Sequence, residues 1–414
     1  MPKPGWRKQP GDSRLTDHIS IGFLTKTLTK DLIDEILFST NKVEKRTRLL
    51  PARVVMYYTI AMPMFPQGSY EEVMRHLTQG LFWAKEFEGS WHIPSKAGIY
   101  KARVRLGAGP LKELFSRVAK LLAQPGMPGA FYRNLRLVVI DRTSLDVCDS
   151  QQNLEHFTKP ETPIGETAFA KVRIVALSEC GTHAIIADAP GPYSVSEQLL
   201  VREIVPSPIQ GMLCLGDRGI FSYDLWNKAR ETGCELLWRA ESDYVIETVA
   251  ELNDGSYLGN VYHHQDRTRR NPIQLRVIEY SLDDRADPDN IYRLFSIITD
   301  PELARVSELA ALYSQRWEIE SVFDELKTHL NESRQVLRSQ SPELVYIKSS
   351  GGCWRCTTRF GPSCATLHKL LVGTQIDYYF WDHSGLFVEL RRQARVFPLL
   401  TIAKSLKREQ SQRS

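Results

Sequence analysis

Leu135-Arg136-Leu137-Val138-Val139-Ile140-Asp141 is the stretch on which the fold turns. Its apolar run is short, rich in β-branched residues and closed by an acid, so it reads as a buried strand that ends at Asp141. Downstream, Val172–Leu177 and His183–Asp188 repeat that grammar and are joined by Cys180-Gly181-Thr182, a hairpin signal. A helical pattern follows over Ser194–Ile204, then a short apolar strand, Met212–Leu215, leading into Gly216-Asp217-Arg218-Gly219. Tyr223–Thr232 is again helical and Glu235–Arg239 again a strand. The result is a mixed α/β domain with acids just beyond strand ends, where such sheets usually carry their sites.

Beyond Asp243 the pattern turns to strands, in Tyr257–Tyr262, Ile273–Tyr280 and Tyr292–Ile298, with the basic turn Arg267-Thr268-Arg269-Arg270 among them. Asp300 then caps a helix with Pro301 at its first position. On that helical stretch lies Tyr313-Ser314-Gln315-Arg316-Trp317-Glu318-Ile319-Glu320-Ser321-Val322-Phe323-Asp324-Glu325-Leu326-Lys327. At about 100° per residue, Glu320 falls about 20° from Tyr313, Lys327 about 20° further on, and Arg316 within about 60° of Tyr313. A phenol, a guanidinium, a carboxylate and an amine therefore share one stripe, while Leu309, Leu312, Ile319, Val322, Phe323 and Leu326 offer an apolar side to a core. Such a polar row suits a phosphate-rich substrate handled with metal.

Upstream of the first strand the chain speaks differently. Residues 1–16 read as a disordered tail, and 17–125 as an all-helical domain. Its helices start at the capping Thr29, near Pro51, around Ser69-Tyr70 and at Pro94-Ser95, the last carrying a basic row, Lys96, Lys101, Arg103 and Arg105. A short helix, a turn and a basic helix are compatible with binding DNA. Ala123–Gly129 is a Pro/Gly-rich linker.

Charge follows the same division. Residues 1–136 hold 22 Lys/Arg against 11 Asp/Glu, whereas 137–414 hold 31 against 38. A basic front attached to an acidic remainder fits a nucleic-acid-binding arm joined to a carboxylate-bearing catalytic body. No apolar run approaches the roughly 20 residues of a membrane helix, and the N-terminus lacks a secretory h-region, so a cytoplasmic protein without membrane contact is expected. Cys148, Cys180, Cys214 and Cys234 are scattered and read as reduced thiols.

Cleavage of phosphodiesters by two metals needs carboxylates converging on ions about 4 Å apart. Asp141, Asp217 and Glu320 are the candidates, two at strand ends and one on a later helix. Glu318, Asp324 and Glu325 neighbour Glu320, Asp324 only about 40° away on a helix. Asp146 and Asp149 read as surface or turn acids. His263-His264, near Asp266, would point to opposite faces of a strand, which argues against a metal site there.

The spacing Tyr313, two residues, Arg316, three residues, Glu320, six residues, Lys327 resembles the signature of the DDE transposases of bacterial insertion sequences, in the branch named after insertion element four. The resemblance extends to Ile140–Asp146, to Gly216–Ser222 and to Leu49-Leu50-Pro51-Ala52-Arg53, and spans roughly residues 15–345. It implies a ribonuclease-H-like α/β core over 133–345, a β-rich insertion at about 243–299, and a helical DNA-binding domain in front. By the same resemblance, Asp141, Asp217 and Glu320 would hold two Mg²⁺ ions, Mn²⁺ substituting, and Arg316 and Lys327 would contact phosphates of the transposon end. Tyr313 would pack on the terminal phosphate or a displaced base. Trp238 would either stack on an extruded base or close a strand as a core aromatic. The implied partners are the terminal inverted repeats, target DNA and a second copy of the chain in a synaptic complex. Two other outcomes stay open on the residues alone: a DNA-binding remnant without catalysis, and a nuclease of the same core without strand transfer.

Two features depart from that family. Arg142 stands where it usually has glycine, and would pair with Asp141 or crowd it. After Tyr346 an apolar helix is expected, but the chain reads Ile347–Cys364, with three cysteines. Cys353, Cys356, Cys364 and His368 have the spacing of a short zinc finger. Alternatively, codons can be chosen for Ile347–Cys364 that, read two nucleotides later, spell an amphipathic helix; on that reading residues 347–414 would be the product of a frameshift.

Overall fold

A computed structural model describes residues 28–46, 48–62, 68–80, 93–163, 165–241, 243–281, 291–313 and 336–347, with two short strands further on. The chain divides into two compact units after Ala365.

The first unit opens with helices whose starts obey local capping chemistry. In α1 (Lys30–Ser39) the Thr29 hydroxyl accepts from Leu32 N at 3.3 Å. α2 (Ala52–Ala61) follows Pro51 and is buried along its whole length. Before α3 (Tyr70–Gly80), Ser69 and Glu72 bond each other's backbone reciprocally, Glu72 N to Ser69 Oγ at 3.1 Å and Ser69 N to the Glu72 carboxylate at 3.4 Å. Ser95 caps α4 (Lys96–Leu106), and α5 (Gly109–Val118) completes the set. The basic row on α4 is not one exposed stripe. Arg103 is buried, and that burial pulls its pKa below the usual arginine range. Arg105 is spent on the Leu50 carbonyl at 2.7 Å and on Glu44, so only Lys96 and Lys101 face solvent.

The following strands build a ten-stranded sheet. They are β1 (Phe131–Tyr132), β2 (Leu135–Val147), then, after α6 (Gln151–Phe157) and a separate small hairpin of β3 (Glu161–Thr162) and β4 (Gly165–Glu166), β5 (Ala170–Glu179) and β6 (Ile185–Pro192). After α7 (Glu197–Ile204) come β7 (Met212–Gly216), α8 (Tyr223–Arg230), β8 (Glu235–Ala240), β9 (Glu247–Glu251), β10 (Tyr257–Val261), β11 (Ile273–Ser281) and β12 (Ile291–Ser296). The order is β6-β5-β2-β7-β8-β12-β11-β10-β9, with β1 against β2. β2, β7 and β8 are mutually parallel and every other pairing is antiparallel. Three antiparallel strands followed by two parallel ones form the ribonuclease-H-like core, and the β-rich insertion prolongs the same sheet beyond β8.

Strand alternation explains how the core is divided. Leu137 and Val139 pack with the front helices, while Val138 and Ile140 pack with Leu200 and Val201 of α7 and Trp226 of α8. A run apolar on both faces is what a strand covered on both sides requires.

Two element boundaries differ from expectation. β2 does not stop at Asp141 but continues to Val147, because β5 pairs with it antiparallel from Val138 through Val147. Asp300 caps only a turn, through Glu302 N at 2.9 Å, and the helix, α9 (Val306–Tyr313), begins later. The helix α6 has no counterpart in the sequence reading. Ser150 caps it, and Asn153 ties it to the Cys148 and Ser339 carbonyls at 3.0 and 2.8 Å. In the second unit, β13 (Tyr379–Trp381) pairs antiparallel with β14 (Phe387–Glu389).

Candidate active site

The parallel pairing of β2 and β7 sets Ile140 opposite Gly216, so the next residue of each chain, Asp141 and Asp217, is also side by side. Adjacent strands lie about 4.8 Å apart, which is within the reach of two carboxylates sharing metal ions about 4 Å apart. β7 ends at Gly216, and there the sheet opens into a shallow depression bordered by Asp141, Arg142, Glu197 and Asp217. Asp141 is nearly buried and accepts from Arg142 N at 2.7 Å; Asp217 is half-buried.

Gly216 is glycine for a steric reason. A Cβ there would lie 2.8 Å from Cδ1 of Trp238, whose ring is packed beneath the strand end. Trp238 is fully buried, edge-to-face with Trp226 at 5.4 Å. It is a core aromatic, and the base-stacking alternative is excluded by that burial.

α9 brings Tyr313 to the same place. Its hydroxyl lies 3.2 Å from the Gly216 carbonyl and 3.5 Å from Asp217 Oδ1, and the side chain is buried. The start of α9 is fixed from the insertion: Val306 N donates to Asp254 Oδ2 at 3.1 Å. Fully buried Arg276 pairs with that same Asp254 and donates to the Ala304 carbonyl at 2.6 Å and to Ser256 Oγ at 2.8 Å. Burial opposes it, yet the Ser256 hydrogen bonds, Arg276 and Val306 N hold the Asp254 carboxyl below its usual range. On the next turn Glu308 accepts from Tyr132 at 2.6 Å and Arg133 at 3.1 Å. Burial and that bond push the Tyr132 hydroxyl up to about 12, so it remains a donor at working pH.

The two arginines next in sequence to the acids pair with other carboxylates. Arg142 reaches α7 and pairs with Glu197, which Arg173 also approaches at 3.7 Å. Arg218 pairs with Glu241 at 3.5 Å. Arg142 thus pairs with Glu197 rather than with the Asp141 carboxylate, but it lines the same depression as Asp141 and Asp217, its guanidinium lying against Gly219 of the Asp217 loop. Glu197 was not marked by the sequence reading; it lies 55 residues from Arg142 and only the fold joins them. Asp146 pairs with Lys171 across β2 and β5, and Asp149 with Lys159 at 2.7 Å, both remote from the depression. His263 and His264 follow the end of β10, and their rings lie 4.3 Å apart rather than on opposite faces.

Arg316, Glu320 and Lys327, with Glu318, Asp324 and Glu325, lie outside the described residues, as do Cys353, Cys356, Cys364 and His368. Among the described residues no group of three or more His, Cys, Asp or Glu is placed to hold a metal, and no helix is long and apolar enough to cross a membrane. Cys148, Cys180, Cys214 and Cys234 are free thiols.

Comparison with known proteins points to transposases. Over 373 residues the chain is 25% identical to the transposase InsG for insertion sequence element IS4 of Escherichia coli K12, covering 84% of this chain and 82% of that one. It is 23% identical over 194 residues to the putative transposase InsZ of the same organism, 47% of this chain and 62% of that one. The solved piggyBac transposase synaptic complex with hairpin DNA aligns with 90% of this chain and 80% of its own at 10% identity and a TM-score of 0.45. Residues 18–116 match the insertion element 4 transposase N-terminal family and residues 133–346 the transposase DDE domain. With helices in front and two aspartates side by side in a ribonuclease-H-like sheet, the chain belongs to the insertion-element-4 family of DDE transposases, enzymes that act on DNA.

Proposed function

We propose that Asp141, Asp217 and Glu320 are the acids with which this transposase cuts and joins DNA at the ends of its element. The observation that carries the reading is the register of β2 and β7, which sets the two aspartates on neighbouring strands at the open end of the sheet. Enzymes of this family use divalent metal ions. Two oxygen-rich side chains with room for water and substrate phosphate suit Mg²⁺, with Mn²⁺ as a substitute. Asp141, Asp217 and Glu320 would hold such ions, which would supply activation of the attacking hydroxyl and stabilisation of the leaving oxygen.

The remaining residues position. Tyr313, buried with its hydroxyl against Gly216 O and Asp217, orients Asp217 toward the substrate side rather than reaching DNA itself. Arg316 and Lys327 contact phosphates of the transposon end, a guanidinium offering a fork and an ammonium a point charge. Residues 17–125 recognise the terminal inverted repeats, residues 133–345 carry the chemistry, and two copies pair the ends.

Purified full-length protein, duplex DNA carrying the element's ends, and Mg²⁺ test this. Wild type is expected to break the DNA at the ends, whereas Asp217→Ala binds it without cutting. Equal cleavage by both overturns the assignment, and absence of joining into a target plasmid reduces the activity to that of a nuclease.

A further inference from the structure

The sheet domain is acidic overall, and its arginines are mostly consumed by acids, as in Arg142–Glu197, Arg218–Glu241 and Arg293–Glu279. The turn between β10 and β11 gathers three that are not. Arg267, Arg269 and Arg270 are all exposed, and among the described residues none of their guanidinium groups pairs with an acid. Arg269 lies over the Tyr262 ring at 5.6 Å, which leaves its donors free to face outward.

The turn is also built rather than loose. Asp266 sits inside it and accepts from Thr268 N at 3.2 Å, the Thr268 hydroxyl at 2.9 Å, Arg270 N at 2.9 Å and Asn271 N at 3.0 Å. The carboxylate within the turn is thereby committed to backbone and hydroxyl donors. Arg269 takes a left-handed backbone, φ 50°. Outside contacts fix the whole turn against α8, through Tyr223 Oη to the Asn271 carbonyl at 2.8 Å and His263 to Asp224 at 3.9 Å. α8 opens directly after the loop that carries Asp217.

From this we infer that the 266–270 turn is a contact for the phosphodiester backbone of duplex DNA, distinct from the acid site and from the helical front end. The inference rests on the reading of the chain as an enzyme that acts on DNA. Guanidinium forks match phosphate oxygens, and preordering by Asp266 removes much of the entropy cost of presenting three of them together. A turn of this size carries no helix or ribbon to lie in a groove, so the contact is to backbone and independent of sequence.

The test is the salt dependence of binding by full-length protein to two duplexes of equal length, one bearing the element's inverted repeat and one scrambled. Each phosphate contact contributes about 0.9 to the slope of log K against log salt. The triple variant Arg267→Gln, Arg269→Gln, Arg270→Gln is expected to lose about 2 to 3 of that slope on both duplexes. The corresponding triple Lys variant, which keeps the charges, should retain it. An unchanged slope in the Gln variant overturns the proposal. So does a loss confined to the repeat-bearing duplex, or failure of wild type to bind either duplex at low salt. Wild type that binds both duplexes yet never cuts the ends rejects the acid-site assignment and leaves the turn standing.

Discussion

The two faces of β2 receive neighbouring residues of opposite charge and use them differently. Asp141, on the side of Leu137 and Val139, stands beside Asp217; Arg142, on the side of Val138 and Ile140, is led away to Glu197 on α7. In the sequence the cation looks like an intruder on the metal site. In the fold, alternation starts the two side chains from opposite faces of the strand, and although both border the same depression, an acid 55 residues away holds the guanidinium. On a strand a charge next in sequence starts from the other face, and the nearest neighbours are the residues two away and those across the ladder.

That contrast can be broken most sharply on the acid face. Asp141→Asn should abolish end cleavage while leaving duplex binding intact, measured by electrophoretic shift and single-turnover cutting. Next comes the strand end that presents Asp217: Gly216→Ala pushes a Cβ to 2.8 Å from the Trp238 ring, and overpacking of this kind destabilises by about 1–3 kcal/mol, visible as a lower denaturant midpoint. An unchanged midpoint would mean that the ring has room to move.

Asp188 offers a pH-dependent probe of the same face. It lies in one cross-strand row with Asp141, through Ala176 of β5. Burial lifts its carboxyl from 3.8 to about 6, and its Oδ2 has no hydrogen-bond partner. Because the folded value lies above the unfolded one, the stabilisation belongs to the protonated form. It is full below about pH 4 and is lost as pH rises through about 6. Asp188→Asn should therefore be more stable than wild type at pH 8, by up to about 3 kcal/mol, with the difference closing below pH 4. A gap that stays constant with pH would show that burial is not what shifts the group.

The smallest effect is expected on the other face. Arg142→Ala removes one half-exposed ion pair, worth less than about 1 kcal/mol, and should leave end cleavage within about threefold of wild type. A loss as deep as that of Asp141→Asn would show that the two faces do not act separately.

Much of this arrangement was readable before any coordinates. The apolar run 135–140 and the glycine-framed Asp217 announce a buried sheet with acids at its open end, because hydrophobic period and strand termini are local properties. What escaped depends on partners far along the chain. β2 runs past Asp141 although Arg142, Ser144 and Asp146 interrupt the apolar pattern, since β5 supplies the ladder. The α4 row looked like a DNA-facing stripe, yet Arg103 is buried and Arg105 is held by Glu44 and the Leu50 carbonyl. In the 266–270 turn the same residue type stays exposed, because Asp266 bonds the backbone instead of the guanidinium groups. α9 starts at Val306 because Asp254 and Arg276, in the insertion, meet its first turn, and no residue near Pro301 announces that.

The central claim, that Asp217 is a metal ligand beside Asp141, is most directly tested by changing the softness of that ligand. Asp217→Cys should fail to cut the element's ends in Mg²⁺ and recover in Mn²⁺, which tolerates a thiolate better than magnesium does. Cleavage in Mg²⁺ as fast as that of the wild type would contradict the account.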